Sequence, residues 1–232
     1  MSKKYHHVFF DLDHTLWDFE RNSEETLQEV FELLKLKEAG VNNADDFINR
    51  YHIHNENLWS LYQRGLIERD FLRYERWANT LEEFGVKNDL LVEQLGDEYL
   101  KLLPEKMHLF SDTIEVLDYL KPKYRLHIIT NGFEEVQFKK IDNSGIRKYF
   151  DYIITSETAG YQKPNPLIFE HAFQITNANA MNSIFIGDSL DADIAGAKNA
   201  AMDHVFYNPK SNVHEVVVQH EIKKLRELKL IL

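Results

Sequence analysis

Short runs of β-branched and aromatic residues recur along this 232-residue chain, separated by stretches of helical periodicity. His7–Phe10, Leu126–Ile129, Tyr152–Thr155, Ser183–Ile186 and His204–Tyr207 are apolar almost throughout, with no clean period of two. That texture suits strands buried on both faces of a parallel sheet. Between and around them, Thr113–Leu120, Glu134–Ile141, Ile168–Ile175 and Ile194–Ala201 carry helical patterns. Asn165 followed by Pro166 reads as the N-cap and first residue of one of these helices. Alternating strand and helix predict an α/β fold with a doubly wound parallel sheet.

A second texture runs from about Asn22 to Leu103, where no strand-like run occurs. Breaks near Gly40-Val41-Asn42-Asn43, Gly65 and Gly85 divide it into four helical stretches. In the second, Phe47, Tyr51, Leu58 and Tyr62 fall on one face. In the third, Phe71, Tyr74, Ala78 and Leu81 do the same. The expected layout is an α/β core of residues 1–17 and 104–232 with a helical insert at 18–103. Pro104 marks the return, because its ring disfavours continuing the preceding helix. The charged tail Val213–Leu232 is expected to close the chain as a helix.

Composition narrows the function classes. With 27 Lys+Arg against 38 Asp+Glu the net charge is −11, which repels a polyanion or an anionic membrane surface. A small anion in a local positive pocket stays open. There is no cysteine, so disulfides, cysteine–zinc sites and thiol catalysis are excluded. The apolar run behind Lys3 and Lys4 stops at Asp11, short of a secretory leader, and no span of membrane length follows. A cytoplasmic protein is the expectation.

The chemistry-bearing residues follow the strands. The first strand runs into Asp11-Leu12-Asp13-His14-Thr15, the second into Thr130-Asn131-Gly132, and the fourth into Gly187-Asp188-Ser189 with Asp191 and Asp193 close behind. Ligands of open α/β sheets sit at the carboxyl ends of the strands, so these groups converge if the strands are neighbours. Asp11, Asp13 and Asp188 would crowd negative charge unless a cation such as Mg²⁺ joined them. Thr130 and the amides of Asn131 and Gly132 can donate to an anionic oxygen. Lys163, in Gln162-Lys163-Pro164-Asn165-Pro166, is the best basic partner. Taken singly, each feature reads as turn chemistry, and Asp191 and Asp193 as acids at a helix start. Asp191 keeps that reading. His52, His54 and Glu56 lack metal-site spacing and read as surface residues. Arg69, Arg73 and Arg76 read as a solvated stripe paired with Glu68, Asp70 and Glu75.

In combination, Asp11-x-Asp13-x-Thr15-Leu16, Thr130-Asn131-Gly132, Lys163-Pro164 and Gly187-Asp188-Ser189-x-x-x-Asp193 resemble the four-motif signature of the haloacid dehalogenase-like hydrolases. The helical insert is similar to that family's α-helical cap. The stretch Asp11–Ser23, with Phe133 and Gln137, is most similar to the branch described as pyrimidine 5′-nucleotidases. The resemblance implies a Rossmann-like core and a Mg²⁺-dependent phosphatase. It implies Asp11 as the nucleophile that becomes phosphorylated, and Asp13 as the acid/base. Thr130 and Lys163 would bind the phosphoryl group. Mg²⁺ would be held by Asp11 and Asp188 through side chains and by Asp13 through its carbonyl, with Asp193 behind them.

The implied substrate is a small phosphorylated metabolite, a nucleoside monophosphate first among them. Phe19 and Asn22, on the link into the insert, are candidates for contacting it; Trp59 and Tyr62 are also available. The plain alternative makes Phe19 packing for the first insert helix, with Asn22 or Ser23 as its N-cap. Other activities on the same fold are a sugar-phosphate phosphatase or a phosphomutase. A non-catalytic phosphoacceptor domain of the receiver type is a different class, but such domains are about half this length and have no use for the insert.

Overall fold

A computed structural model of the chain describes residues 4–232, which form two compact units. One consists of the chain up to Phe19 and from Met107 onward; the other is Glu20–Lys106. Among the described residues no helix is long and apolar enough to cross a membrane.

The first unit holds six parallel strands: β1 (His7–Phe10), β2 (Arg125–Thr130), β3 (Tyr152–Thr155), β4 (Ser183–Gly187), β5 (Asp203–Tyr207) and β6 (His220–Ile222). Their order across the sheet is β3-β2-β1-β4-β5-β6. The chain winds outward from β1 on one side, then returns to β1's other flank at β4. This reversal is the switch point at which open α/β sheets place ligands. Phe9 pairs with His127 on one side and Phe185 on the other, which fixes the central register. Both faces are covered, so the central strands are buried along almost their whole length. On one face Phe9, Ile129, Ile154 and Phe185 pack with Ile168, Phe169, Ala172, Ala197 and Met202.

The helices of this unit are α5 (Thr113–Leu120), α6 (Glu134–Asn143), α7 (Ser156–Ala159), α8 (Pro166–Thr176) and α9 (Ala195–Asn199). Asn165 caps α8 by accepting the Leu167 amide at 3.0 Å, with Pro166 at the first turn. The tail departs from expectation. Val213–Leu232 is no continuous helix: it runs without regular structure, adds β6 at the sheet edge, and ends in a 3₁₀ turn at Leu225–Leu230. β6 rests on backbone pairing with Val205–Tyr207, and three residues carry too short a pattern to read.

The second unit is all helical. Its elements are α1 (Phe19–Leu33, whose first residue belongs to the other unit), α2 (Ala44–Gln63), α3 (Arg69–Glu82) and α4 (Asp89–Leu102). Asn43 and Asn88 cap α2 and α4 through their side chains. α2 buries Phe47, Tyr51 and Leu58 as expected. α3 is rotated from its expected face. It buries Leu72, Arg76, Trp77, Thr80 and Leu81, and leaves Phe71 half exposed. Trp77 is the reason: its ring stacks on Tyr51 at 4.4 Å and meets Tyr99 at 5.2 Å. Arg76 turns inward with it, its guanidinium within 6 Å of all three rings and donating to Asn55 Oδ1 at 3.1 Å. The solvated-stripe reading is therefore wrong for Arg76. His54 lies near the surface and pairs with Glu83 at 2.6 Å.

Candidate active site

Asp11 leaves the end of β1 with its amide still bonded to Ile186 O at 2.9 Å, so the ladder to β4 fixes its position. The chain then turns tightly: the amides of Leu16 and Trp17 both donate to Leu12 O, and His14 takes a left-handed φ of 63°. The turn brings Thr15 Oγ1 to Asp188 Oδ1 at 3.0 Å. Lys163 enters from the loop before α8. Its amide donates to Asn131 Oδ1 at 2.8 Å, and Asn131 Nδ2 donates to Lys163 O at 2.9 Å. The Asn131 side chain thus clamps the lysine loop to the end of β2.

From that clamp the Lys163 ammonium, almost fully buried, donates to Asp11 Oδ1 at 2.6 Å, Asp193 Oδ1 at 2.7 Å and Ile129 O at 3.0 Å. All three of its protons are committed. Asp193 is engaged at both oxygens, since Oδ2 accepts the Ser189 amide at 3.0 Å. Gly187 makes this possible: a Cβ there would lie 2.3 Å from Asp193 Oδ2.

One carboxylate oxygen each from Asp11, Asp188 and Asp193 falls within a 4.8 Å cluster, the one such acidic group among the described residues. Burial pushes Asp11 well above the usual carboxylate range, against the pull of Lys163, and Asp193 and Asp188 push it further. Asp188 is raised to about 7, chiefly by burial and then by the charge of Asp193. Burial works to lower Lys163, but Asp11 and Asp193 outweigh it and hold the ammonium above its ordinary value. One lysine against three acids leaves a negative deficit. The donors are all hard oxygens, so the residues fit Mg²⁺. Asp11 and Asp188 are the side chains best placed to hold it, because Asp193 is occupied on both sides.

The Asp13 carboxylate points elsewhere. Its Oδ2 accepts Gln137 Nε2 at 2.9 Å and its Oδ1 accepts Lys140 Nζ at 2.7 Å. Gln137 Nε2 also donates to Thr130 Oγ1 at 2.6 Å, and that hydroxyl accepts the Gly132 amide at 3.2 Å. Gly132 is required for the approach, since a Cβ would stand 2.4 Å from the Gln137 amide. The Lys140 ammonium lies 4.3 Å from the Trp17 ring centroid and 5.3 Å from that of Phe19. Burial pulls its pKa down, and Asp13 opposes the shift. Sequence reasoning did not single out Lys140 and used Gln137 only as a mark of resemblance. A signal was available: both are polar, three residues apart, on the buried face of the helix that follows Thr130-Asn131-Gly132.

Asp11, Asp13, Thr130, Asn131, Gly132, Lys163, Asp188 and Asp193 are therefore brought into one site around the ends of β1, β2 and β4. Phe19 lies at its margin, packed on His14 at 4.9 Å and Trp17 at 6.2 Å. Asn22 belongs to the helical unit. It is fully buried inside α1, which already begins at Phe19, so neither Asn22 nor Ser23 is the N-cap. Asp191 is exposed.

The motifs and their geometry agree with comparisons to known proteins. The family model for haloacid dehalogenase-like hydrolases matches residues 5–201. The chain is 33% identical to the HAD hydrolase YfnB of Bacillus subtilis, over 99% of this chain and 96% of that protein. It is 32% identical to the pyrimidine 5′-nucleotidase PynA of Streptococcus pneumoniae, over 88% of this chain and 84% of that one. It is 30% identical to a glyceraldehyde 3-phosphate phosphatase of Methanothermobacter thermautotrophicus, over 95% and 98%. A crystal structure of YfnB bound to magnesium superposes with a TM-score of 0.89 at 31% identity, covering 99% of both chains. The chain belongs to the haloacid dehalogenase-like hydrolase family.

Proposed function

We propose that the protein is a Mg²⁺-dependent phosphatase that hydrolyses small phosphate monoesters through a phosphorylated Asp11, with pyrimidine nucleoside monophosphates as its substrates. The observation that carries this reading is the junction of two acids with different partners. Asp11 shares Lys163 with Asp193 beside Asp188, whereas Asp13, two residues on, is tied to Thr130 through Gln137. That division of partners supports reading Asp11 as the nucleophile and Asp13 as the acid/base.

Asp11 attacks phosphorus through one carboxylate oxygen while the bond to the leaving oxygen breaks. Asp13 delivers a proton to that oxygen and, now a carboxylate, takes one from the water that hydrolyses the acyl phosphate. Lys163 exchanges its contact with Asp11 Oδ1 for a phosphoryl oxygen, and the Thr130 hydroxyl donates to another. Asp11 and Asp188 through their side chains and Asp13 through its carbonyl would hold Mg²⁺, which would supply positive charge against the transferring group. The two relatives named for phosphoester hydrolysis support the reaction class. The nucleotidase relative, together with Phe133 and Gln137 after Thr130-Asn131-Gly132, favours the nucleotide.

The test is turnover of UMP and dTMP against AMP, glyceraldehyde 3-phosphate and p-nitrophenyl phosphate, with and without EDTA. Pyrimidine nucleotides should lead, and EDTA should abolish activity until Mg²⁺ is restored. A tenfold preference for the triose phosphate, about 1.4 kcal/mol in transition-state binding, would contradict the nucleotidase reading alone. Full activity in metal-free buffer would contradict the metal.

A further inference from the structure

Lys140 is a charged residue where a packing helix would place an apolar one. It is 2% exposed, on the face of α6 that also buries Val136, Gln137 and Ile141. Taking an ammonium out of water is costly unless a specific partner is set against it. Its partner is Asp13 Oδ1 at 2.7 Å, and the rings of Trp17 and Phe19 wall the ammonium in. Three residues earlier on the same helix, Gln137 takes the other oxygen of the same carboxylate. Both oxygens of Asp13 are thus held from one rigid element, which fixes the rotation of the carboxyl group. Gln137 adds a second constraint, because the same amide nitrogen reaches Thr130 Oγ1. Its two N–H groups supply one bond to each, so the separation between carboxyl group and threonine hydroxyl is set by a single amide. Gly132 keeps open the space that amide occupies.

We propose that Lys140 and Gln137 are positioning residues for proton transfer: they aim the Asp13 carboxyl group at the leaving oxygen of a phosphate bound at Thr130. This rests on the phosphatase reading given above. A general acid acts only within hydrogen-bond reach of the atom it protonates. The benefit depends on the leaving group. A nucleoside 5′-oxygen leaves as a strongly basic alkoxide and needs the proton, whereas p-nitrophenolate leaves without one. A merely structural role for the two residues would not distinguish these esters.

The experiment is single-turnover release of the leaving group from UMP and from p-nitrophenyl phosphate by the full chain in Mg²⁺, comparing Lys140→Met and Gln137→Met with the unmodified protein. For both variants release from UMP should slow by about tenfold or more, a part of the 10²–10⁴ that general acid catalysis provides. Release from p-nitrophenyl phosphate should change by less than about threefold, and substrate affinity should hold for both esters. Gln137→Met removes no charge, so it keeps the test alive if Lys140→Met does not fold. Equal losses on the two esters, or no loss on either, would overturn the inference while leaving the phosphatase reading intact. If the unmodified protein releases neither leaving group, the phosphatase reading fails and takes the inference with it.

Discussion

Lys163 and Gly187 show how single residues set the site. The ammonium of Lys163 is buried with all three protons bonded, two of them to carboxylates. Such an arrangement tolerates loss of a partner poorly, because an uncompensated buried charge costs more than the pair contributes. Gly187 is needed for steric reasons, since the Asp193 carboxylate fills the space of its missing side chain. Gly187→Ala should therefore push Asp193 away from both Lys163 and the Ser189 amide. The expected loss is about 1–3 kcal/mol of stability, with turnover reduced about tenfold or more. Urea unfolding and steady-state turnover of p-nitrophenyl phosphate check this together. A variant matching the unmodified protein in both would show that the Asp193 contacts are dispensable.

Elements were legible in proportion to how much of their burial their own sequence dictates. The five longer strands were readable because a doubly covered parallel strand must be apolar on both sides, and α8 because Asn165-Pro166 supplies its own start. β6 was not, because its partner is chosen by the sheet edge. The face of α3 was set by Trp77 stacking on Tyr51 of α2 and meeting Tyr99 of α4 edge-on, a tertiary preference that a single-helix pattern does not contain. The same holds in the site: the acids and Lys163 stood out at strand ends, whereas Lys140 sat inside a helical pattern and became visible only by its contact with Asp13.

The β1–β2 pairing also carries a pH-dependent device. His7 Nδ1 lies 3.0 Å from His127 Nε2, so one ring donates and the other accepts, and the accepting ring must be neutral. Burial, then the neighbouring His7, lowers His127 to about 3. The unfolded chain, with a histidine pKa of about 6.5, binds the proton first, so stability is lost as pH falls from about 6.5 toward 3. The limiting slope is about 1.4 kcal/mol per pH unit. In urea unfolding between pH 6 and pH 4.5, His127→Phe should show a shallower fall than the unmodified protein. An equal slope in both would mean the pair does not titrate with folding.

At the scale of the whole molecule, the parallel sheet order places the loops after β1, β2 and β4 side by side. Four sequence segments spread from Asp11 to Asp193 become one site by that means. The net charge of −11 leaves an anionic ester dependent on local positive charge. At the site Lys163 provides that charge, and Mg²⁺ on Asp11 and Asp188 would add to it. The central claim is that Asp11 carries the phosphoryl group. The direct measurement is acid quench of the enzyme during turnover of p-nitrophenyl phosphate in Mg²⁺, borohydride trapping of acyl phosphate, and peptide mapping by mass spectrometry. The trapped aspartate should be Asp11, absent in Asp11→Asn and more abundant in Asp13→Asn, where hydrolysis of the intermediate slows. Turnover with no trapped aspartate in either the unmodified protein or Asp13→Asn, or a label at Asp13 or Asp188, would contradict it.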